Sequence, residues 1–348
     1  MSFKTLLSIV TLSLIAIMIF FSRKELFQAW ELLTDVNIWI LLLLIPSQIA
    51  VYYVGGEMMF SYLRAKGSIS KIPARDQTRM ALEMNFVNHV LPSGGVSGIS
   101  YMTWRLSKYD ISAGRATMAQ LVRYAMAFVA YVALVLIAVV IITIDGNINR
   151  WIIFASFSVV LISVVGGVSG VYVLSSRRRM WRFADKVVRH GNMIIKKVTF
   201  GRKKGVLQYA EVEKFFTDMH FDYMALRRDR NILKGPFLWG IVYTLGDVAL
   251  YLITFWAMGI IFNPAPLLIA YGMASIAGLV VVTPGGTGAY EAVMIGFLAI
   301  SGIDKSEAIA GVVLTRVILL LGTIVFGYVF YQRAILRHGK FSNASSRG

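Results

Sequence analysis

Six stretches of this chain run for about 20 residues or more with almost no charge: residues 3–21, 38–60, 117–144, 151–174, 236–261 and 308–331. A helix rises ~1.5 Å per residue, so about 20 apolar residues match the ~30 Å hydrocarbon core of a bilayer. Backbone amides find no water there, which leaves helices or closed barrels as the only spanning solutions. Segments this long and continuous choose the helix, and they predict an all-α polytopic membrane protein. The balance of the 348 residues agrees, with 57% hydrophobic and 15% charged. The first segment has a single lysine ahead of it and no small-residue cleavage pattern behind it, so it is read as a retained span rather than a signal peptide.

Two further apolar stretches are interrupted. Residues 81–103 break at "PSGG" and residues 265–302 break at "TPGGTG". The first has limbs of about eleven residues, too short for each to cross, and is expected to enter and leave on one side as a re-entrant hairpin. The second has longer limbs and reads as a deep hairpin or as two short spans; either way the chain returns to its starting side. Six full spans plus two broken-helix hairpins result.

The distribution of basic residues sets the orientation. With the N-terminus inside, 29 of the 35 Lys and Arg fall in inward segments and four in outward ones, while Arg123 and Arg316 lie within spans. This bias predicts cytoplasmic N- and C-termini in a multi-pass plasma (inner) membrane protein. The formal charge of +17 is accordingly read as cytoplasmic loops facing anionic lipid, and no nucleic acid partner is expected. The long loop 175–235 contains "RRRMWRFADKVVRHGNMIIKKV", in which Trp181, Ala184, Val187 and Val188 share a helical face. It reads as an amphipathic helix on the inner leaflet or as a solvated basic connector. Nothing in it suggests a second catalytic domain.

An internal repeat organises these elements. "LPSGGVSGISY" at 91–101 resembles "TPGGTGAYEAV" at 283–293, each is followed by a loop acid, Asp110 or Asp304, and each leads to a span carrying Arg123 or Arg316. Pro92 to Pro284 is a step of 192 positions, Arg123 to Arg316 one of 193, and Gly56–Glu57 to Gly246–Asp247 one of 190. Three crossings separate the hairpins, so the second copy (about 151–331) is inverted relative to the first (about 3–144). Each copy reads span, span, hairpin, span. Inverted repeats with broken helices at mid-membrane are the recurring plan of alternating-access transporters.

An ionisable side chain in hydrocarbon costs at least ~2.5–3.5 kcal/mol on insertion scales, so each needs a partner or a wet cavity. Glu57, Asp247 and Glu291 supply negative charge, and Arg123 and Arg316 positive. The two arginines could offer a phosphate bidentate donors, one in each half of the membrane, or each could pair with a buried carboxylate. Glu57 and Asp247 are open to proton coupling or to salt-bridging. After Pro92 and Pro284, which make the turns, Gly94, Gly95, Gly285, Gly286 and Gly288 would let half-helix N-termini present free N–H groups to an anion. Alternatively Gly94 and Gly98 form a packing face and the later glycines only permit a tight turn. Asn85, Asn88 and His89 make the entering limb of the first hairpin polar, facing a hydrated cavity or bonding to neighbouring helices.

"GVSG" at 95–98 matches the G-x-S-G pattern of rhomboid intramembrane serine proteases, whose serine needs a histidine on a separate membrane helix. His190, His220 and His338 lie in cytoplasmic segments and His89 precedes the serine on the same hairpin. The turn reading therefore wins, and no enzyme activity is expected. With no cysteine and no His/Asp/Glu cluster at ligand spacing, no metal and no cofactor are expected either.

"LPSGGVSGISY", "TPGGTGAYE", the T-R of the last span and the basic central loop together resemble the lysylphosphatidylglycerol synthase transmembrane family, also called the flippase-like domain family. The resemblance covers about residues 5–335, and "TPGGTGAYE" is its most specific part. In bifunctional members a soluble aminoacyl transferase domain follows, and the resemblance implies that the membrane part moves the modified phospholipid between leaflets. Here the sequence ends at Gly348, about fifteen residues past the last span. A stand-alone flippase-like domain, residues 1–335 with a basic cytoplasmic tail 336–348, is therefore expected. Carried over from the motifs are Pro92, Gly94, Gly95, Pro284, Gly285, Gly286, Gly288, Glu291 and Arg316, with Arg123 by the internal repeat. The expected activity is translocation of a membrane lipid, an anionic phospholipid or a polyprenyl-phosphate-linked lipid. Two alternatives stand beside it: a proton-coupled transporter of a small anionic solute, and a non-transporting scaffold that recruits a separate lipid-modifying enzyme through the basic loop.

Overall fold

Residues 36–70, 72–90, 96–144, 209–280 and 288–338 are described by the computed structural model, with isolated positions between 27 and 31 and between 154 and 193. In chain order the helices are α1 (Leu44–Ala65), α2 (Ala74–Val90), α3 (Val96–Ser107), α4 (Ala113–Ile144), α5 (Tyr209–Arg228), α6 (Lys234–Ala257), α7 (Pro264–Val280), α8 (Ala289–Ile300) and α9 (Lys305–His338). Among the described residues there is no strand, and the chain is an all-α polytopic membrane protein.

Four segments are long and apolar enough to cross a bilayer: Ile38–Ala65, Ala113–Thr143, Arg230–Ala257 and Lys305–Ala334. They coincide with four of the six expected spans. The expected span 3–21 lies outside the described residues, as does much of 151–174, where 164–169 is a described helical stretch. A short helical turn, Ile38–Leu41, precedes α1 and is capped by Asn37, whose side-chain oxygen accepts from Trp39 N–H at 3.1 Å. Asp304 caps α9 in the same way, accepting from Ser306 N–H at 2.8 Å, and these bonds hold its carboxyl below the usual range. Asp110, its partner in the repeat, instead adopts a left-handed backbone at φ 62°.

The interrupted stretches are two matched pairs. α2 and α7 have 17 residues each, and α3 and α8 have 12. At ~1.5 Å per residue these limbs reach ~25 Å and ~18 Å, short of the ~30 Å hydrocarbon core. Within each pair the limbs pack on one another. The entering limb of the first hairpin is longer than its apolar run implied, because it begins at Ala74 and takes in Asp76 and Arg79. Charged residues in its first turns hide such a start from any hydropathy count.

Packing repeats with a pseudo-twofold relation. α1 and α6, the corresponding spans of the two copies, cross each other; the long helix after each hairpin packs on the other hairpin, α4 on α7 and α9 on α2. Glycine makes the central crossing close: a Cβ on Gly246 would meet Val51 Cγ2 at 2.8 Å, and one on Gly55 would meet the Tyr243 ring at 3.0 Å. Thus the Gly56–Glu57 and Gly246–Asp247 markers sit in the helices that form the axis of the bundle.

Sequence periodicity in the long loop missed one element. α5 repeats Val212, Phe215, Phe216 and Met219 at helical spacing. Phe216 and Met219 bury against Met180 and pack near Trp181 and Leu121. Asp222 of α5 also takes Lys66 Nζ at 3.6 Å and Arg115 Nε at 3.5 Å. The stretch around Trp181 therefore packs against protein at α5, which corrects its assignment to the leaflet surface or to a solvated connector; Ala184 and Val187 lie outside the described residues.

Candidate functional site

Six helices converge on an internal cavity of about 180 Å³. On α6, Tyr243, Asp247 and Tyr251 recur every four residues and so present one face to it. Tyr271 and Ser275 enter from α7, Tyr290 and Glu291 from α8, Arg316 from α9, Asn85 and His89 from α2, and Tyr52 from α1. A cavity with this many hydroxyls, carboxyls and amides is hydrated or occupied by a polar ligand, whereas a dry one would be apolar.

Three connected arrangements line it. In the first, Arg316 Nε donates to Glu291 Oε1 at 2.8 Å, while Glu291 Oε2 accepts from Gly288 N–H at 2.6 Å. Gly288 sits at φ +95°, a backbone open to glycine, and opens α8. The carboxylate of Glu291 thus bridges a guanidinium and the first amide of a half-helix. In the second, the Arg316 guanidinium lies over the Tyr290 ring, 4.5 Å from its centroid, and Tyr290 stacks on Tyr251 at 6.5 Å and 23°. In the third, Asp247 accepts from the Tyr271 hydroxyl at 2.5 Å and from Tyr243, and it makes no ion pair among the described residues.

The cavity wall is tied down at its edge. Gln48 Nε2 donates to Leu319 O at 2.6 Å and to Tyr52 at 3.0 Å, and Tyr52 shares a 2.5 Å hydrogen bond with Thr323. His89 is held against Asn85 O at 2.8 Å. The bonds of Gln48 and Tyr52 join α1 to Leu319 and Thr323 of α9, about one and two turns beyond Arg316.

Most residues singled out from sequence can now be placed. Arg316, Asp247 and Glu291 meet at the cavity, with Gly288 beside them. Arg123 does not line it: its Nη1 contacts Met84 Sδ and Gln120 Oε1, each at 3.5 Å, and it makes no ion pair among the described residues. The repeat explains the difference, because 193 positions before Glu291 stands Gly98. The first copy therefore has no carboxylate where the second has one, and of the two arginines only Arg316 lines this cavity. Glu57 faces away from the cavity and binds Arg64 at 3.2 Å, with Arg64 also reaching Gln77 at 3.2 Å. Pro92, Gly94, Gly95, Pro284, Gly285 and Gly286 lie outside the described residues. Near the first tip, Asn88 Oδ1 accepts from Gly98 N–H at 2.9 Å and Ser97 Oγ donates to Val87 O at 3.2 Å, so both polar groups serve the hairpin. Neither Ser97 nor Asn88 lines the cavity.

Sequence reasoning missed the tyrosines. Their signal was the four-residue step from Tyr243 to Asp247 to Tyr251, visible within an apolar span. A buried ion pair between Glu83 and Arg105 was missed as well, although Glu83 falls inside the first interrupted stretch.

Comparison with known proteins assigns the scaffold. A UPF0104 membrane protein of Methanothermobacter thermautotrophicus is 23% identical over 234 residues, covering 67% of each chain. No solved structure matches. The family profile described as lysylphosphatidylglycerol synthase TM region matches residues 5–327, which include every residue lining the cavity. On this match the chain belongs to the lysylphosphatidylglycerol synthase TM region family of membrane proteins.

Proposed function

We propose that this protein moves a phosphate-bearing membrane lipid between leaflets, with the headgroup passing through the Arg316 cavity while its acyl chains remain in the bilayer. The observation that carries this reading is Glu291. Its carboxylate rests between a guanidinium and a half-helix amide, at 2.8 and 2.6 Å. These are the donors that phosphate oxygens use. Glu291 therefore acts as an internal stand-in for the anion of the headgroup.

Charge bookkeeping then dictates the order of events. Arg316 brings one positive charge and Glu291 and Asp247 bring two carboxyls, so an anion is accepted only when it displaces Glu291 from Arg316. The inverted architecture supplies two related halves between which such a site can be exposed alternately.

A cavity of about 180 Å³ also suits a small anionic solute. Asp247, held by tyrosine hydroxyls and by no cation among the described residues, favours this second reading, since a carboxyl so placed is a ready proton carrier. Uptake of phosphate into proteoliposomes under a pH gradient distinguishes the two. The primary test is reconstitution with headgroup-labelled phospholipids and polyprenyl phosphates: wild type accelerates transfer of at least one and Arg316→Ala does not. No accelerated transfer of any probe refutes the proposal.

A further inference from the structure

Apart from the central cavity, a second and strongly charged pocket of about 270 Å³ opens between α2, α3 and α9, lined by Asp76, Arg79, Glu83, Arg105, Arg333 and the side of Phe330. The two cavities share no lining residue. Three guanidinium groups face two carboxylates here, leaving one positive charge in excess. Part of this charge is internally matched. Arg105 Nε donates to Glu83 Oε2 at 2.9 Å, and Tyr101 donates to the same oxygen at 2.8 Å. Asp76 accepts from Arg79 Nη1 and from Tyr109, each at 3.4 Å.

These pairs leave two guanidinium groups incompletely matched. Arg105 is 3% exposed, yet its Nη1 is buried with no hydrogen-bond partner among the described residues. A buried guanidinium N–H without an acceptor is costly, and natural proteins rarely leave one so. Arg333 makes no ion pair among the described residues and stands at the last turns of α9, where the apolar part of that helix ends. This places the pocket at the level of lipid phosphates, at the end of the bundle that carries Arg64, Lys66 and Arg115.

The repeat provides an internal control. Helix by helix, the positions corresponding to Asp76, Arg79, Glu83, Arg105 and Arg333 are Pro266, Ile269, Met273, Leu298 and Val140. Ile269 and Leu298 are fully buried in a dry core. α7 has no charged residue and α8 has only Glu291, so the contrast does not hinge on the register of the comparison. The same fold packs this corner with hydrocarbon in its second copy, and replacing a buried ion pair with well-packed apolar groups is often neutral or stabilising. Packing therefore gives no reason for the charges in the first copy.

We infer that this pocket is a second anion-binding site, which takes a phosphate group on Arg105 Nη1 between Arg79 and Arg333. The phosphate belongs either to a lipid headgroup at the interface or to a soluble phosphorylated ligand, and the site stands whether or not the central cavity translocates lipid.

The test uses the full chain in detergent with Arg316→Gln, so that the central site is disabled, and reads binding by native mass spectrometry. Probes are phosphatidic acid, inorganic phosphate and, as a neutral-headgroup comparison, phosphatidylcholine. Glu83→Met with Arg105→Leu copies the second repeat and removes both charges together. The pair of substitutions is expected to weaken phosphatidic acid binding by at least about tenfold while leaving thermal stability unchanged or raised. Loss of inorganic phosphate binding as well identifies a site for a free phosphoryl group; loss for the lipid alone identifies a headgroup site. Should the double variant fail to fold, Arg333→Gln, at an exposed position, is expected to weaken binding severalfold on its own. Unchanged phosphatidic acid binding in whichever of these variants folds, or equal binding of phosphatidylcholine, overturns the inference.

Discussion

Replacing Glu291 with glutamine should tighten headgroup binding, although it removes a partly buried ion pair. Wild-type Glu291 holds its place with two short bonds to an ionised oxygen pair, 2.8 Å from Arg316 Nε and 2.6 Å from Gly288 N–H. Hydrogen bonds to charged groups contribute about 1.5–3 kcal/mol each, and neutral ones about 0.5–1.5 kcal/mol. Glutamine offers one acceptor oxygen, so it keeps one of the two bonds in weakened form. The internal competitor is then weaker by about 2 kcal/mol, which converts to about 30-fold tighter binding of an anion that must displace it. The assay is titration calorimetry of the purified protein with dihexanoylphosphatidylglycerol, whose phosphodiester stays singly charged across neutral and mildly acidic pH. Asp247 is the other carboxyl facing the cavity, and Asp247→Asn, which leaves the Glu291–Arg316 contact in place, should not reproduce the gain. Equal or weaker binding by Glu291→Gln refutes the competition argument.

Arg316→Gln should abolish this binding, whereas Arg123→Gln should leave it within a factor of about three and reduce only thermal stability, by about 1 kcal/mol, since Arg123 touches Met84 and Gln120 at 3.5 Å rather than the cavity. Asp247→Asn should remove any dependence of transport on a pH gradient while headgroup binding persists, measured in the same vesicles. Gly246→Leu should force α1 and α6 apart, because even a Cβ there meets Val51 at 2.8 Å; a loss of about 1–3 kcal/mol in thermal denaturation is expected. Asp222→Asn removes the anchor shared by Lys66 and Arg115, so amide hydrogens in 209–228 should exchange faster while those of α6 do not.

Much of the architecture was legible because the bilayer imposes it. Length and apolarity located four described spans to within a few residues at most ends, and the spacing of Pro, Gly and Arg markers revealed the repeat, which the packing of α4 on α7 and α9 on α2 reproduces. What escaped was polar. The α2 start was hidden by Asp76 and Arg79, which read as loop residues until the pocket beside them is seen. α5 was hidden in a basic loop whose charge masked an aromatic stripe. For the site, three of the five ionisable residues in apolar spans, Arg316, Glu291 and Asp247, meet at one cavity. Sequence could not separate them from Glu57 and Arg123, because partner choice depends on which face of a helix each side chain occupies in the assembled bundle. The tyrosine cluster shows the same limit, since a tyrosine in an apolar span reads as packing until several converge from α1, α6, α7 and α8.

The most direct measurement is an electron cryomicroscopy structure of the protein saturated with a short-chain phosphatidylglycerol. The phosphate is predicted at Arg316 within hydrogen-bonding distance of its guanidinium and of the Gly288 amide, with the Glu291 carboxylate turned away from both. A Glu291–Arg316 contact that persists at 2.8 Å with the headgroup bound elsewhere would contradict the assignment of Glu291 as its stand-in.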